Sequence, residues 1–168
     1  KSGCDIVIHV NGDLSEAVPA YGRIKGFREF CESKNINHRV ILTDLGNNFE
    51  ENHSRIQKLF TELESSYKGM KIGLFMPNDT HASILIVQKY GKLPDRYRII
   101  GFDNSPVSRE AIIPISTIGQ QVGVMADSAM ELLTAQINER RKRRPTPDPE
   151  PIHRIITPIL IKRETAFP

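Results

Sequence analysis

The chain has 168 residues, with 23 basic and 20 acidic side chains, a formal net charge of +3 and 39% hydrophobic residues. It is long enough for one α/β domain with a sizeable core, and its near-neutral balance carries no electrostatic footprint of a nucleic-acid binder. Cys4 and Cys31 are its only cysteines and form no CxxC pair, which argues against a disulfide framework and for reduced thiols in a cytoplasmic protein. No apolar window approaches the roughly eighteen residues of a membrane helix, and no secretory pattern opens the chain, although it starts at Lys1 and enters a strand at once, as a piece of a longer protein would.

In chain order, "CDIVIHV" (4–10) predicts a strand and 19–33 a helix opened by Pro19, a good first helical residue. Gly22 and Gly26 lie inside that helix; each costs about 1 kcal/mol relative to alanine, so the pair predicts close packing of another backbone. Strands follow at "HRVILT" (38–43), "MKIGLFM" (70–76) and "YRIIGF" (97–102), separated by helices over about 49–65 and 79–90. Short apolar strands alternating with helices predict βαβ units: a doubly wound parallel sheet in a three-layer αβα arrangement.

After Ile118 the pattern changes. The spacing of Val122, Met125, Ala126, Ala129, Leu132, Leu133 and Ile137 predicts one long amphipathic helix over 119–144. It ends in "RRKRR" (140–144), which suits the negative pole of a helix better than it suits a nucleic-acid patch, and "PTPDPEP" (145–151) stops it. "RIITPILI" (154–161) reads as a last strand with Pro158 at an edge or bend.

Several chemistries leave no trace. There is no GxGxxG after the first strand, no GxxxxGK[ST] and no GxSxG. His9, His38, His53, His81 and His153 form no HExxH and have no cysteine partner, so neither a metal nor a cofactor is expected.

Three stretches together resemble the effector-binding domain of LacI/GalR-family transcription regulators: "GRIKGFREF" (22–30), "MPNDTHASI" (76–84), and "IIGFDNSPVSREAIIPISTIGQQ" (99–121) with the tail "ITPILIKRET" (156–165). The resemblance spans nearly the whole chain. It implies the fold of a type I periplasmic binding protein-like subdomain, with 1–118 as the C-terminal subdomain, 119–153 as a returning helix and linker belonging to the other subdomain, and 154–168 as a strand returning to the sheet. The family's DNA-binding domain and first half-domain are absent. No enzymatic activity is implied.

The implied ligand is a small sugar-like effector bound in a cleft between subdomains. Partners would be a second copy of the chain and operator DNA, the latter only through the missing N-terminal domain; no membrane is involved. In open parallel sheets ligands lie beyond the carboxyl ends of the strands, and the resemblance puts a ligand-binding acid at Asp103, whose alternative is a capped turn in "DNSP". It puts a ligand-reaching arginine at Arg23, for which a surface ion pair with Asp13 or Glu16 is the alternative. Asn78 serves equally as a ligand contact or as a helix cap, with Asp79 the stronger cap candidate. Gln120 is a contact from beyond the hinge, or simply a solvated residue of the first helical turn. Phe49 is a ring that can stack on a sugar face, but a helix-anchoring core role is the stronger reading.

Two rival functions share these residues. One is the periplasmic sugar-binding protein of a transporter. The other is an enzyme on a flavodoxin-like or hydrolase sheet with Asp103 or Asp79 as base.

Overall fold

The computed structural model describes residues 3–12, 19–45, 48–88, 93–141 and 151–167. Its first strand, β1 (Ile6–Asn11), is covered on both faces: Ile8 and Val10 are buried toward one side, His9 and Asn11 toward the other. There follow α1 (Pro19–Ser33), β2 (His38–Leu42), α2 (Phe49–Ser66), β3 (Ile72–Phe75), α3 (Asp79–Gln88), β4 (Tyr97–Phe102), α4 (Val107–Glu110), β5 (Ser116–Gly119), α5 (Val122–Arg140) and β6 (Ile159–Ile161). The six strands lie in the order β2-β1-β3-β4-β5-β6. β1 is parallel to β2 and β3, β3 to β4, and β4 to β5. Winding reverses between β1 and β3, the place where chains leaving two neighbouring strands part and open a crevice.

The sheet has two unequal faces. On one, Ile6, Ile8, Val10, Ile72, Leu74 and Ile99 meet Ile56, Leu59, Phe60 and Leu63 of α2 and Leu85 of α3 in a single buried cluster. The α2 residues recur at helical spacing, and Asn48 caps that helix by accepting from the Glu50 and Glu51 N–H groups. Tyr97 is buried in the same core with its hydroxyl donating to Glu64 Oε1 at 2.8 Å and accepting from Arg96 Nη2 at 2.8 Å. Burial and the Glu64 carboxylate push that phenol up to about 12.

The other face is closed less completely. α1 packs along β1 and β2 and buries Ile24 and Cys31, but Arg98, Ile100 and Phe102 of β4 stay only half-buried. A hollow of about 500 Å³ remains, lined by Phe27, Phe30, Cys31, Phe75, Ile100 and Phe167 among others.

Several expectations are corrected. Among the described residues an added Cβ at Gly22 or Gly26 would meet nothing within 4 Å, so none of their backbone approaches either; both glycines are exposed on α1. Proximity demands glycine at position 101 instead, where a Cβ would lie 2.2 Å from Asp79 Oδ1 and 3.2 Å from Asp79 Cα. The long helix begins at Val122 rather than Gly119, because Gly119 ends β5 and Gln121 is left-handed at φ 54°. Arg140 is its last residue, and 142–144 of the basic run lie outside the described residues. The last strand is confined to Ile159–Ile161, starting just after Pro158, whose nitrogen has no proton to give a ladder.

By contact density the chain divides into one unit of Lys1–Ile118 with Leu160–Pro168 and a second of Gly119–Ile159. Within the second, no residue of α5 is buried, and Val122, Met125, Met130 and Leu133 are all exposed. Among the described residues no helix is long and apolar enough to cross a membrane.

Candidate functional site

The carboxyl ends of β1, β3 and β4 bring together an arginine, an acid and an aromatic shelf. Arg23 leaves the first turns of α1 and donates from Nη1 to the Pro77 carbonyl at 2.8 Å, while its guanidinium carbon lies 4.4 Å from the Phe102 ring centroid. Pro77 follows β3 and Phe102 ends β4, so one side chain ties helix to sheet. A cation on a ring contributes about 0.5–2 kcal/mol, more as water is excluded. Partial burial lowers the Arg23 pKa, and the charge of Asp103 acts against that shift.

Next to this pair stands His9, fully buried. Its ring stacks on Phe75 at 4.5 Å and tilts against Phe27 at 5.4 Å. Nδ1 lies 3.0 Å from the Phe75 carbonyl, which can only accept, so the proton is on Nδ1. Among the described residues Nε2 has no hydrogen-bond partner. Burial, and secondarily the Arg23 charge, hold the His9 pKa below its ordinary value. The imidazole is therefore a neutral neighbour to Arg23.

Asp103 begins a turn of unusual backbone shape. It has φ 96°, and Asn104 follows at φ 53°; left-handed residues other than glycine cost of order 1–3 kcal/mol each and persist where surrounding groups fix them. Here Asp103 N–H donates to Ile118 O at 2.9 Å and Asn104 N–H to Thr117 Oγ1 at 3.3 Å. Ser105 gives both its N–H, at 2.8 Å, and its hydroxyl, at 3.1 Å, to Asp79 Oδ2. The expected "DNSP" turn exists, and these groups hold it while Asp103 itself stays exposed. Asp79 is fully buried; desolvation raises its pKa, hydrogen bonding by Thr117 and Ser105 opposes that, and the Asp103 charge adds to the rise.

Asn78 and Asp79 divide their roles differently from the expectation. Asn78 caps α3, its Oδ1 accepting from the His81 N–H at 2.8 Å and its carbonyl from the Ala82 N–H at 3.2 Å. Asp79 is the first helical residue and turns inward to Ser105. Phe49, expected to anchor α2 in the core, is 63% exposed: it is the first residue of that helix and packs edge-on to His53 at 6.3 Å. It borders a shallow hollow with Glu50, Ser54 and Gln57, and does not join Arg23 and Asp103. Gln120 is half-buried in the second unit, beside the left-handed Gln121, whose Nε2 donates to Thr157 O at 2.7 Å. Asp13 and Glu16, weighed as ion partners of Arg23, lie outside the described residues.

Phe102, His9 and the Asp79–Ser105 bond were not among the site residues expected from the sequence. Phe102 was the findable one, since strand alternation from Tyr97 puts it on the α1 side immediately before Asp103. Among the described residues no group of three His, Cys, Asp or Glu could hold a metal ion.

Comparison with known proteins places the fold. The ribose operon repressor of Halalkalibacterium halodurans is 24% identical over 143 residues, which is 83% of this chain and 41% of the repressor. A periplasmic binding protein/LacI transcriptional regulator from Alkaliphilus metalliredigens, complexed with D-xylulofuranose, matches 99% of this chain and 59% of its own at a TM-score of 0.70 and 22% identity. A LacI family transcriptional regulator from Enterococcus faecium with bound ribose matches 99% and 58% at a TM-score of 0.71 and 20% identity. The solved structures share the fold, and the chain spans less than half the length of the curated relative. The family model for the periplasmic binding protein-like domain covers residues 2–165, and the chain belongs to that family.

Proposed function

We propose that this chain is the sensing part of a LacI-type transcriptional regulator, and that it binds a small sugar or sugar derivative at the strand ends marked by Arg23 and Asp103. The observation that carries the reading is their pairing: a guanidinium seated on Phe102 within electrostatic reach of an exposed carboxylate on a fixed turn. A carboxylate accepts from two adjacent hydroxyls, a guanidinium donates to ring or hydroxyl oxygens, and the rings of Phe75 and Phe102 offer apolar area to a pyranose or furanose face. The repressor relative and the sugars bound to the two solved regulators support the same class of ligand.

In the longer protein a companion subdomain supplies the opposite wall. The effector biases the two closure states through its different affinity for each. Asn78, Gln120 and Phe49 are further contact candidates. Operator binding belongs to an N-terminal domain, and the dimer to the whole protein; the exposed apolar residues of α5 suit such association. No catalysis is part of this reading, and a cytoplasmic location follows from it. Its competitor, a transporter's binding protein, shares the fold; a secretory signal upstream would select that, a helix-turn-helix the regulator.

Calorimetric titration of the full-length protein with a panel of pentoses, hexoses and their phosphates tests the proposal. One member should bind saturably, and Asp103→Asn should weaken it ten- to hundredfold, since a hydrogen bond to a charged group contributes about 1.5–3 kcal/mol. Turnover of a substrate, or binding indifferent to both Arg23→Met and Asp103→Asn, would overturn it.

A further inference from the structure

The Asp103–Asn104 turn is also gripped from a part of the chain that no ligand needs to touch. Arg163, just beyond β6, donates from Nη2 to Asn104 Oδ1 at 2.9 Å. From Nη1 it donates to the Ile115 carbonyl at 2.8 Å and to Ser108 Oγ at 3.3 Å. The guanidinium thus spans three acceptors from three segments: the turn, α4 and the approach to β5.

Its own backbone is fixed first. The Arg163 N–H donates to Ser116 Oγ at 2.9 Å and the Ser116 hydroxyl donates back to the Arg163 carbonyl at 2.7 Å. Two residues on, the buried Thr165 hydroxyl accepts from the Ser116 N–H at 2.9 Å and donates to the Ile99 carbonyl at 2.7 Å, while the Ile99 N–H reaches Thr165 O at 2.9 Å. The tail is thereby stitched to β4 and β5, and the Arg163 fork has a rigid base.

We propose that Arg163 is a positioning residue for the effector site: by holding the Asn104 side chain it keeps the turn left-handed and the Asp103 carboxylate where a ligand meets it. This rests on the ligand role given to Asp103 above. Asn104 N–H is already held by Thr117, so removing Arg163 frees the side-chain half of that clamp alone. Asparagine tolerates the left-handed region better than most residues but does not require it. Without the arginine the turn can relax toward φ below zero, carrying Asp103 with it. A lysine cannot replace the fork, because one ammonium cannot address acceptors in three directions along a plane.

The test uses the full-length protein with Arg163→Met, Arg163→Lys, Asn104→Gly and the Arg163→Met/Asn104→Gly pair. Glycine at 104 keeps the positive φ without strain and loses the grip. The first readout is amide hydrogen exchange at Asp103 and Asn104, relative to Ile8 and Leu74 in the closed face. The expected result is at least tenfold faster relative exchange in both Arg163 variants and in Asn104→Gly, with nothing added by the pair. The second readout is affinity for whichever sugar of the panel the wild type binds, D-ribose being the first tried. It should fall about tenfold, and no further than in Asp103→Asn.

Exchange at Asp103 that merely follows Ile8 and Leu74, or a pair that loses as much as both single variants summed, overturns the proposal. A wild type that binds no sugar defeats the functional reading, while the exchange arm still decides whether Arg163 positions the turn. If Arg163→Met does not fold, Asn104→Gly decides, because it leaves the bonds to Ile115 and Ser108 in place.

Discussion

Adjacent residues of β4 experience different proteins. Ile99 is fully buried between the sheet and the α2 and α3 helices, while Ile100, one position on and pointing the other way, borders the hollow beside α1. Within the first unit α2 and α3 close one face of the sheet, and α1 partly covers the other. The closed face sets stability, and the open face supplies Arg23 and the Phe75 and Phe102 rings to the site. The Asp103 turn draws on both, since Asp79, on α3, reaches it from the closed side and Arg23 acts on it from the open side.

The widest separation should appear on replacing each isoleucine by alanine. Ile99→Ala empties a packed site and should cost about 2–5 kcal/mol in denaturant unfolding, whereas Ile100→Ala should cost about 1 kcal/mol or less because its site already adjoins free space. Equal losses would mean that the hollow is filled in solution and that the two faces do not differ.

Gly101→Ala comes next. It joins the closed face to the functional turn, and the new methyl group would meet not only the Asp79 carboxylate but its Cα, so rotating the side chain cannot relieve it. Overpacking of this kind costs about 1–3 kcal/mol. It should also break the Ser105 bonds to Asp79 and weaken sugar binding along with stability. A variant with wild-type affinity would show that Asp79 does not hold the turn.

The same contrast explains what was readable in advance. The four strands β1 to β4 and the doubly wound order follow from apolar runs separated by helices, which is local information; β5, four residues long and half polar, stood outside the expected strands. The closed core follows too, since Ile56, Leu59, Phe60 and Leu63 repeat at helical spacing. The cap was misplaced by one residue because Asn78 and Asp79 are both good caps, and only the burial of Asp79 against Ser105, 26 positions away, separates them. Gly22 and Gly26 suggested contact and Gly101 did not, although of these three it is Gly101 that has a described neighbour to avoid. Arg163 stood inside the quoted tail motif without a role, because its partner is 59 residues distant. Residues whose work is long-range hydrogen bonding carry no local signature.

Arg23→Met should have a smaller effect on folding than either core change. The side chain keeps its apolar reach but loses the Pro77 bond and the ring contact, which at this half-buried place amounts to about 0.5–1.5 kcal/mol. Its effect on sugar affinity should be the larger of the two. If thermal unfolding drops steeply while binding is untouched, Arg23 serves only to fasten α1.

The smallest effect is a pH dependence, and it sets the two faces against each other through His9 and Asp79. The folded-state pKa of His9 lies below 6.5, chiefly through burial, so on acidification the unfolded chain takes up a proton that the folded chain refuses. This contribution to stability is complete above the unfolded value and is lost as pH falls through the folded one; His81, likewise lowered by burial, acts in the same sense. Asp79 has the opposite sign: its pKa is raised above 3.8, chiefly by desolvation, so its contribution is present in acid and is lost as pH rises through its folded value. Between pH 7.5 and 5.5 the histidines should govern, and stability in urea should decline toward the acid end. The unfolded imidazoles titrate inside this window while the folded ones lie lower, so the decline starts near the ordinary histidine value and steepens toward the acid end. His9→Phe retains a ring to stack on Phe75 and removes the titration, so its curve should be flatter than the wild type's. Identical slopes would mean that His9 takes its proton without leaving its place beside Arg23, and that the aromatic cluster is open enough to hydrate a second charge.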